Sequence, residues 1–168
     1  MVDVPMFNNL SQVEQYIMKQ LEESMRLLAN DVKKIIKDYI YKNLYQAYSP
    51  FEYQRTGQFL ECLDVKVNRK GNLVEAEIFF NTDFIEMNEI EESMWNQHMS
   101  VDGSETWKGE SVASWIPTFL EYGVQNSLWD RDGIRSMEHI QEYLESTKYH
   151  LKEIMALLKS RGINCVMR

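Results

Sequence analysis

The sequence predicts an α+β domain in which two long helices pack on a small antiparallel β-sheet, with one long variable loop. Two observations carry this reading. Apolar residues recur every three or four positions in one stretch near each end of the chain. Between those stretches lie two runs in which apolar and polar residues alternate. Helical segments flanking a short sheet must bury their apolar stripes against one of its faces. With 168 residues, 44% of them hydrophobic and 12% aromatic, the chain can bury a core of its own, and its length fits one domain over 1–168.

The first helix is expected to begin at Ser11, because Ser11-Gln-Val-Glu14 has the spacing of a capping box. Ile17, Leu21, Met25, Leu28, Val32, Ile35 and Tyr39 then form one stripe, in steps of three and four, on a helix ending near Tyr48. Ser49-Pro50 stops it, since proline disfavours helical geometry in the residue before it. Glu22, Glu23, Lys33, Lys34 and Lys37 occupy the opposite face.

Leu63, Val65 and Val67 alternate with polar residues, as do Val74, Ala76 and Ile78. The link Asn68-Arg-Lys-Gly-Asn72 joins the two runs into a hairpin. Residues 81–110 keep no period; they mix scattered aromatics with many glutamates and read as an extended loop. Loops of this length carry function more often than structure, and Phe84, Trp95 and Trp107 are its expected partner contacts. Residues 111–124, SVASWIPTFLEYGV, return to order as a short apolar helix or strand. From Ser136 the helical stripe resumes through Ile140, Leu144, Leu151 and Leu158, predicting a second long helix capped at Arg161-Gly162. The tail Ile163-Asn-Cys-Val-Met-Arg168 is apolar enough to add a strand.

Acidic residues outnumber basic ones by 26 to 18, for a net charge of -8. Such a balance opposes a surface that holds nucleic acid by counterion release. Two cysteines, Cys62 and Cys165, lie far apart without metal-binding spacing, and both are expected as buried thiols of a reducing compartment. No stretch has the roughly 20 apolar residues that span a bilayer, and the first ten residues lack the basic start of a signal peptide, so a cytoplasmic protein is expected.

Motifs that carry chemistry are sparse. Asp130-Arg-Asp-Gly133 begins like a calcium loop, but the acidic ligands that should follow are misplaced, and position 139 is His. His139 with Glu142 and His150 with Glu153 have helical spacing that fits an exposed face better than a metal site. The segment Tyr53-Gln-Arg-Thr-Gly-Gln-Phe-Leu60 resembles a phosphate loop only in its single glycine: a helix precedes it and a strand pattern soon follows, the reverse of what a phosphate loop needs. Gly57 is therefore assigned an architectural role, redirecting the chain from the first helix toward the sheet. No catalytic residue, metal or cofactor is expected.

The order of these elements, with Thr56-Gly57 followed by Leu60 and with Glu121-Tyr122-Gly123 closing the apolar segment, resembles the neck or tail-completion proteins of long-tailed bacteriophages and prophages, the head-to-tail joining family. The resemblance covers about residues 11–160, although Arg55 stands where that family usually has Asp. It implies a structural virion protein rather than an enzyme. Copies would form a ring between the capsid's portal or adaptor complex and the tail tube, touching head-completion and tail-terminator or tail-tube proteins. DNA would pass through without specific binding, and an acidic lumen would suit such a conduit. Two readings from other classes stand beside it: an acidic cytoplasmic adaptor that sequesters a basic partner, and a metal-dependent hydrolase built on Glu86, Glu89 and Asp102.

Overall fold

The computed structural model describes residues 5–47, 57–85, 112–124 and 131–166. The protein is α+β, with a long N-terminal helix, further shorter helices and a two-stranded antiparallel hairpin. The chain divides into two compact units, one made of Met1–Ile36, Val65–Phe79 and Glu138–Arg168, the other of Lys37–Asp64 and Phe80–Met137.

The first unit begins with helix α1 (Leu10–Ile40), whose last residues enter the second unit. Its N-terminus is capped two residues earlier than the Ser11–Glu14 spacing predicted. Asn9 Oδ1 accepts from the Gln12 amide at 3.0 Å, and Gln12 Oε1 reaches back to accept from the Asn8 amide at 2.8 Å. Asn caps as well as Ser does, and the upstream pair forms the reciprocal box first. Leu28 and Val32 of the predicted stripe are buried, but Met18 replaces Ile17 at one end and Ile36 replaces Ile35 at the other. A stripe stepping by 3.5 rotates about 20° per heptad on a helix of 3.6 residues per turn, so beyond Val32 the inward face is read in steps of four.

The hairpin pairs β1 (Leu63–Lys70) with β2 (Leu73–Phe80), as the alternation predicted. Gly71, at φ 61, takes the first central position of the two-residue turn, where a type II′ geometry needs a positive φ. Val65, Val67, Val74, Ala76 and Ile78 on the apolar face are only partly covered.

The second long helix is in fact two, here α4 (Ser136–Thr147) and α5 (Tyr149–Ser160), separated by Lys148 at φ 52 and ψ 33. The hydroxyls of Ser146 and Thr147 both donate to the Tyr143 carbonyl, at 3.2 and 2.6 Å, and compete with the helical ladder there. The predicted cap at Gly162 is present. Gly162, at φ 80, donates its amide to Lys159 O, and the Ile163 amide reaches Leu158 O, each at 3.0 Å, which is a Schellman motif. Arg161 Nη1 ties this end to α1, bonding Gln20 Oε1 at 2.7 Å and Glu23 Oε2 at 2.5 Å. Residues 163–166 add no strand, contrary to expectation, since the Ile163 amide is already engaged in the cap. Cys165 is only half-buried, so the expectation of two buried thiols holds for Cys62 alone.

In the second unit, α1 runs into a π-helical turn, Tyr41–Tyr45, whose Gln46 amide donates to Tyr41 O at 2.9 Å. Helix α2 (Gln58–Glu61), a single turn that the sequence reading missed, precedes β1. It buries Phe59 beneath Phe80, the rings stacked with centroids 4.8 Å apart. The Asn81 amide donates to Cys62 O at 2.6 Å, and Lys37 pairs with Glu61 at 3.0 Å. A 3-10 turn at Thr82–Phe84 follows, and it packs against helix α3 (Val112–Tyr122). The segment for which helix and strand stood open is thus a helix.

Candidate functional site

The two landmark stretches lie in the second unit and do different work. Gly57 has φ 81 and opens α2, with the Leu60 amide donating to Gly57 O at 2.9 Å. It leads into a helical turn rather than directly into a strand, and the residues just before it lie outside the described residues. A Cβ there would meet nothing within 4 Å, so the demand for glycine comes from backbone conformation alone. Leu60 is half-buried beside the fully shielded Cys62 and Leu63. Thr56 lies outside the described residues, as does Arg55.

The second landmark is the centre of a latch. Gly123, at φ 80, ends α3 and turns the chain into a short antiparallel ladder of β3 (Gly123–Val124) with β4 (Arg131–Asp132), pairing Gly123 with Asp132 and Val124 with Arg131. The last carbonyls of α3 are taken up by the returning strand: Leu120 O accepts from the Ile134 amide at 2.8 Å and Glu121 O from the Arg135 amide at 3.0 Å. These are carbonyls that a helix C-terminus would otherwise leave without partners. Gly133 makes the approach possible, because a Cβ on it would overlap the Glu121 carbonyl.

The Glu121 side chain turns inward, only 6% exposed, and receives a hydrogen bond from the fully buried Ser136 hydroxyl and another from the Met137 amide at 3.2 Å. That amide belongs to the first turn of α4, so the carboxylate meets the positive end of the helix dipole and satisfies a donor with no partner inside the helix. Tyr39 stands nearby, its hydroxyl donating to Ile134 O at 3.4 Å. Burial first, and then the negative charge of Glu121, push the Tyr39 phenol above its ordinary value.

Chemically the latch is a closed arrangement. A carboxylate beside a serine hydroxyl has the parts of a base and a nucleophile, yet both groups are shut from solvent and Glu121 is already engaged by two donors. The outward residues are of another kind. Tyr122 is 73% exposed and Phe84 59% exposed, and the turn carrying Phe84 packs against the helix that ends at Tyr122. Trp95 and Trp107 lie outside the described residues, as do Glu86, Glu89 and Asp102 and nearly all of the 81–110 loop.

Among the described residues no group of three or more His, Cys, Asp or Glu is placed to hold a metal ion, and no helix is long and apolar enough to cross a membrane. His139 and Glu142 approach to 3.9 Å on an exposed face, as expected. His150 departs from that expectation: it is half-buried, with its Nδ1 enclosed. Sequence reasoning missed Ser136 and Gly133 as members of the latch. The signal was the turn Asp132-Gly-Ile-Arg-Ser136 directly before a helical stripe, where a glycine and a helix-start serine sit together.

Fold and site together define an α+β protein with a buried structural latch in its second unit and two exposed aromatic side chains, Phe84 and Tyr122, on elements that pack together. Residues 9–160 match the model of the YomN family, and the chain belongs to that family. The family is of phage and prophage type, which makes this a phage-associated protein. No curated protein and no solved structure shows significant similarity.

Proposed function

We propose that this chain is a structural component of the phage particle, one of the copies in a ring that joins the capsid portal or adaptor complex to the tail tube. Membership of a phage-type family over residues 9–160 supports a phage setting. The observation that carries the finer reading is the division of labour within Glu121-Tyr122-Gly123. Glu121 holds the interior, Gly123 makes the turn, and Tyr122 is left 73% exposed at the end of a helix that packs against the turn carrying the exposed Phe84. Exposed aromatic side chains on a rigid support are what a protein–protein contact uses for affinity. Such a chain has no reaction to perform; it holds one ring against the next.

The test is deletion of the gene in an inducible phage or prophage. Electron microscopy of the lysate should show DNA-filled heads and complete tails that are not joined, and supplying the protein in trans should restore whole particles. Normal yields of joined, infective particles from the deletion strain would overturn the proposal.

A further inference from the structure

The charged residues of α4 and α5 are sorted by sign. Glu138, Glu142 and Glu145 are spaced by four and three on α4, so they share one face, opposite the buried Ile140, and all three are exposed. On α5, Leu151, Lys152, Met155, Ala156 and Lys159 follow the same spacing and form one stripe; Met155 is half-buried, Leu151 is 37% exposed and the others are exposed. Lys148 stands exposed at the head of that stripe. Among the described residues no ion pair reaches Lys148, Lys152 or Lys159. Glu145 accepts a hydrogen bond from the neutral Gln141 amide at 2.8 Å, and Glu142 has His139 beside it at 3.9 Å.

A face that merely meets water interleaves its charges, as α1 does in pairing Arg26 with Glu22 and Lys34 with Asp31 at helical spacing. Helices α4 and α5 do the reverse. Glu138 and Glu142 are like charges at i,i+4, an arrangement that destabilises a helix. Glu145 lies in the last turn of α4, which holds no basic residue, and Lys152 in the first turn of α5, which holds no acidic one. Each therefore sits at the end of its helix where the dipole disfavours it. Nothing within one copy offsets this sorting, whereas a partner carrying the opposite row would. The chain itself carries both rows, and their spacings agree: Glu138 and Glu145 are seven residues apart, as are Lys152 and Lys159, about 10 Å along either helix.

We propose that the α5 stripe docks on the α4 row of a second copy of this chain, with Lys152 meeting Glu145 and Lys159 meeting Glu138. Antiparallel helices bring both pairs into register at once, because the two rows have the same separation. Leu151 and Ala156 lie beside the lysines and leave water on contact, which fits a protein face better than a phosphate backbone. The two faces differ, so the contact runs head to tail from copy to copy and closes into a ring when the rotation between copies permits. It deepens the ring reading above and rests on it for that closure, while the occupant is fixed by the charge rows of the chain itself.

The experiment is sedimentation of the full-length protein over a concentration series at low and high salt, with Lys152→Glu/Lys159→Glu and Glu138→Lys/Glu145→Lys as paired variants. The wild type should associate, and more weakly as salt rises. Each variant alone should stay folded by circular dichroism and lose association by about tenfold or more, since like rows then face each other, and an equimolar mixture of the two should regain it. Recovery in the mixture separates a lost contact from a lost fold. A wild type that stays monomeric to its solubility limit, association unchanged by the lysine variant, or a mixture that associates no better than its parts would each overturn the contact. So would lysine-dependent retardation of duplex DNA by a chain that does not self-associate, which would assign the stripe to phosphate. The gene deletion above tests the ring reading separately: joined particles from the deletion strain would remove the ring, and the mixture would still decide the contact.

Discussion

Glu121 and two glycines, Gly133 within the latch and Gly57 at the start of α2, allow the structure to be tested one side chain at a time. Glu121→Ala leaves the Ser136 hydroxyl and the Met137 amide without their acceptor in a buried site, and should destabilise the fold by about 2–4 kcal/mol in urea unfolding, with Glu121→Gln costing less. The glycines should separate by mechanism. Gly133→Ala forces a methyl into the Glu121 carbonyl and is expected to cost about 3 kcal/mol or more, because backbone has to move. Gly57→Ala places its methyl in open space and suffers only the positive φ, about 1–2 kcal/mol. Equal losses at the two positions would contradict the close approach of Gly133 to the Glu121 carbonyl. Cys62 gives a pH test. Burial, as the leading cause, pushes its thiol up to about 11 from an ordinary 9.0. A group whose value rises on folding contributes stability below its unfolded value and loses it as pH climbs, because the unfolded chain ionises first. Stability should therefore fall as pH climbs from 9 toward 11, less steeply in Cys62→Ala, and in the native protein at neutral pH a thiol reagent should modify Cys165 well before Cys62.

At the scale of elements, the break between α4 and α5 makes a prediction of opposite sign to the one a continuous helix would make. Lys148 holds φ 52, a conformation that costs a non-glycine residue about 1–2 kcal/mol. Lys148→Gly should thus leave thermal stability unchanged or raise it, while in an unbroken helix it would lower stability by about 1 kcal/mol. This break also shows where sequence reading stops. The apolar stripe from Ser136 to Leu158 is continuous in steps of three and four, so period alone cannot reveal one residue in left-handed geometry. The cue was the Ser146-Thr147 pair, whose hydroxyls compete for a helical carbonyl. The hairpin and the Gly162 cap were legible because each rests on a local pattern: alternation with a glycine turn, and a glycine after the last periodic residue. Helix α2 was not, since one turn is too short to show a period. The latch was half legible. Glu121-Tyr122-Gly123 stood out as a landmark, but its partners Gly133 and Ser136 are distant in sequence, and only folding brings a carboxylate on one segment to the first turn of a helix on another.

For the whole molecule, membership of a phage-type family sets the phage context, and the proposed joining role turns on the exposed aromatic edge that Phe84 and Tyr122 would form. The edge should be separable from the latch. Tyr122→Ala together with Phe84→Ala should change unfolding stability little, because both side chains face solvent, yet should reduce the yield of joined particles in complementation of a deletion. A loss of joining only in proportion to a loss of folded protein would instead mark the edge as part of the fold. The most direct measurement of the central claim is the position of the chain in the particle: a functional tagged copy, labelled with gold in purified tailed particles and imaged by electron microscopy. Label should be confined to the junction between head and tail; label along the tail, on the capsid surface or nowhere on the particle would contradict the joining role.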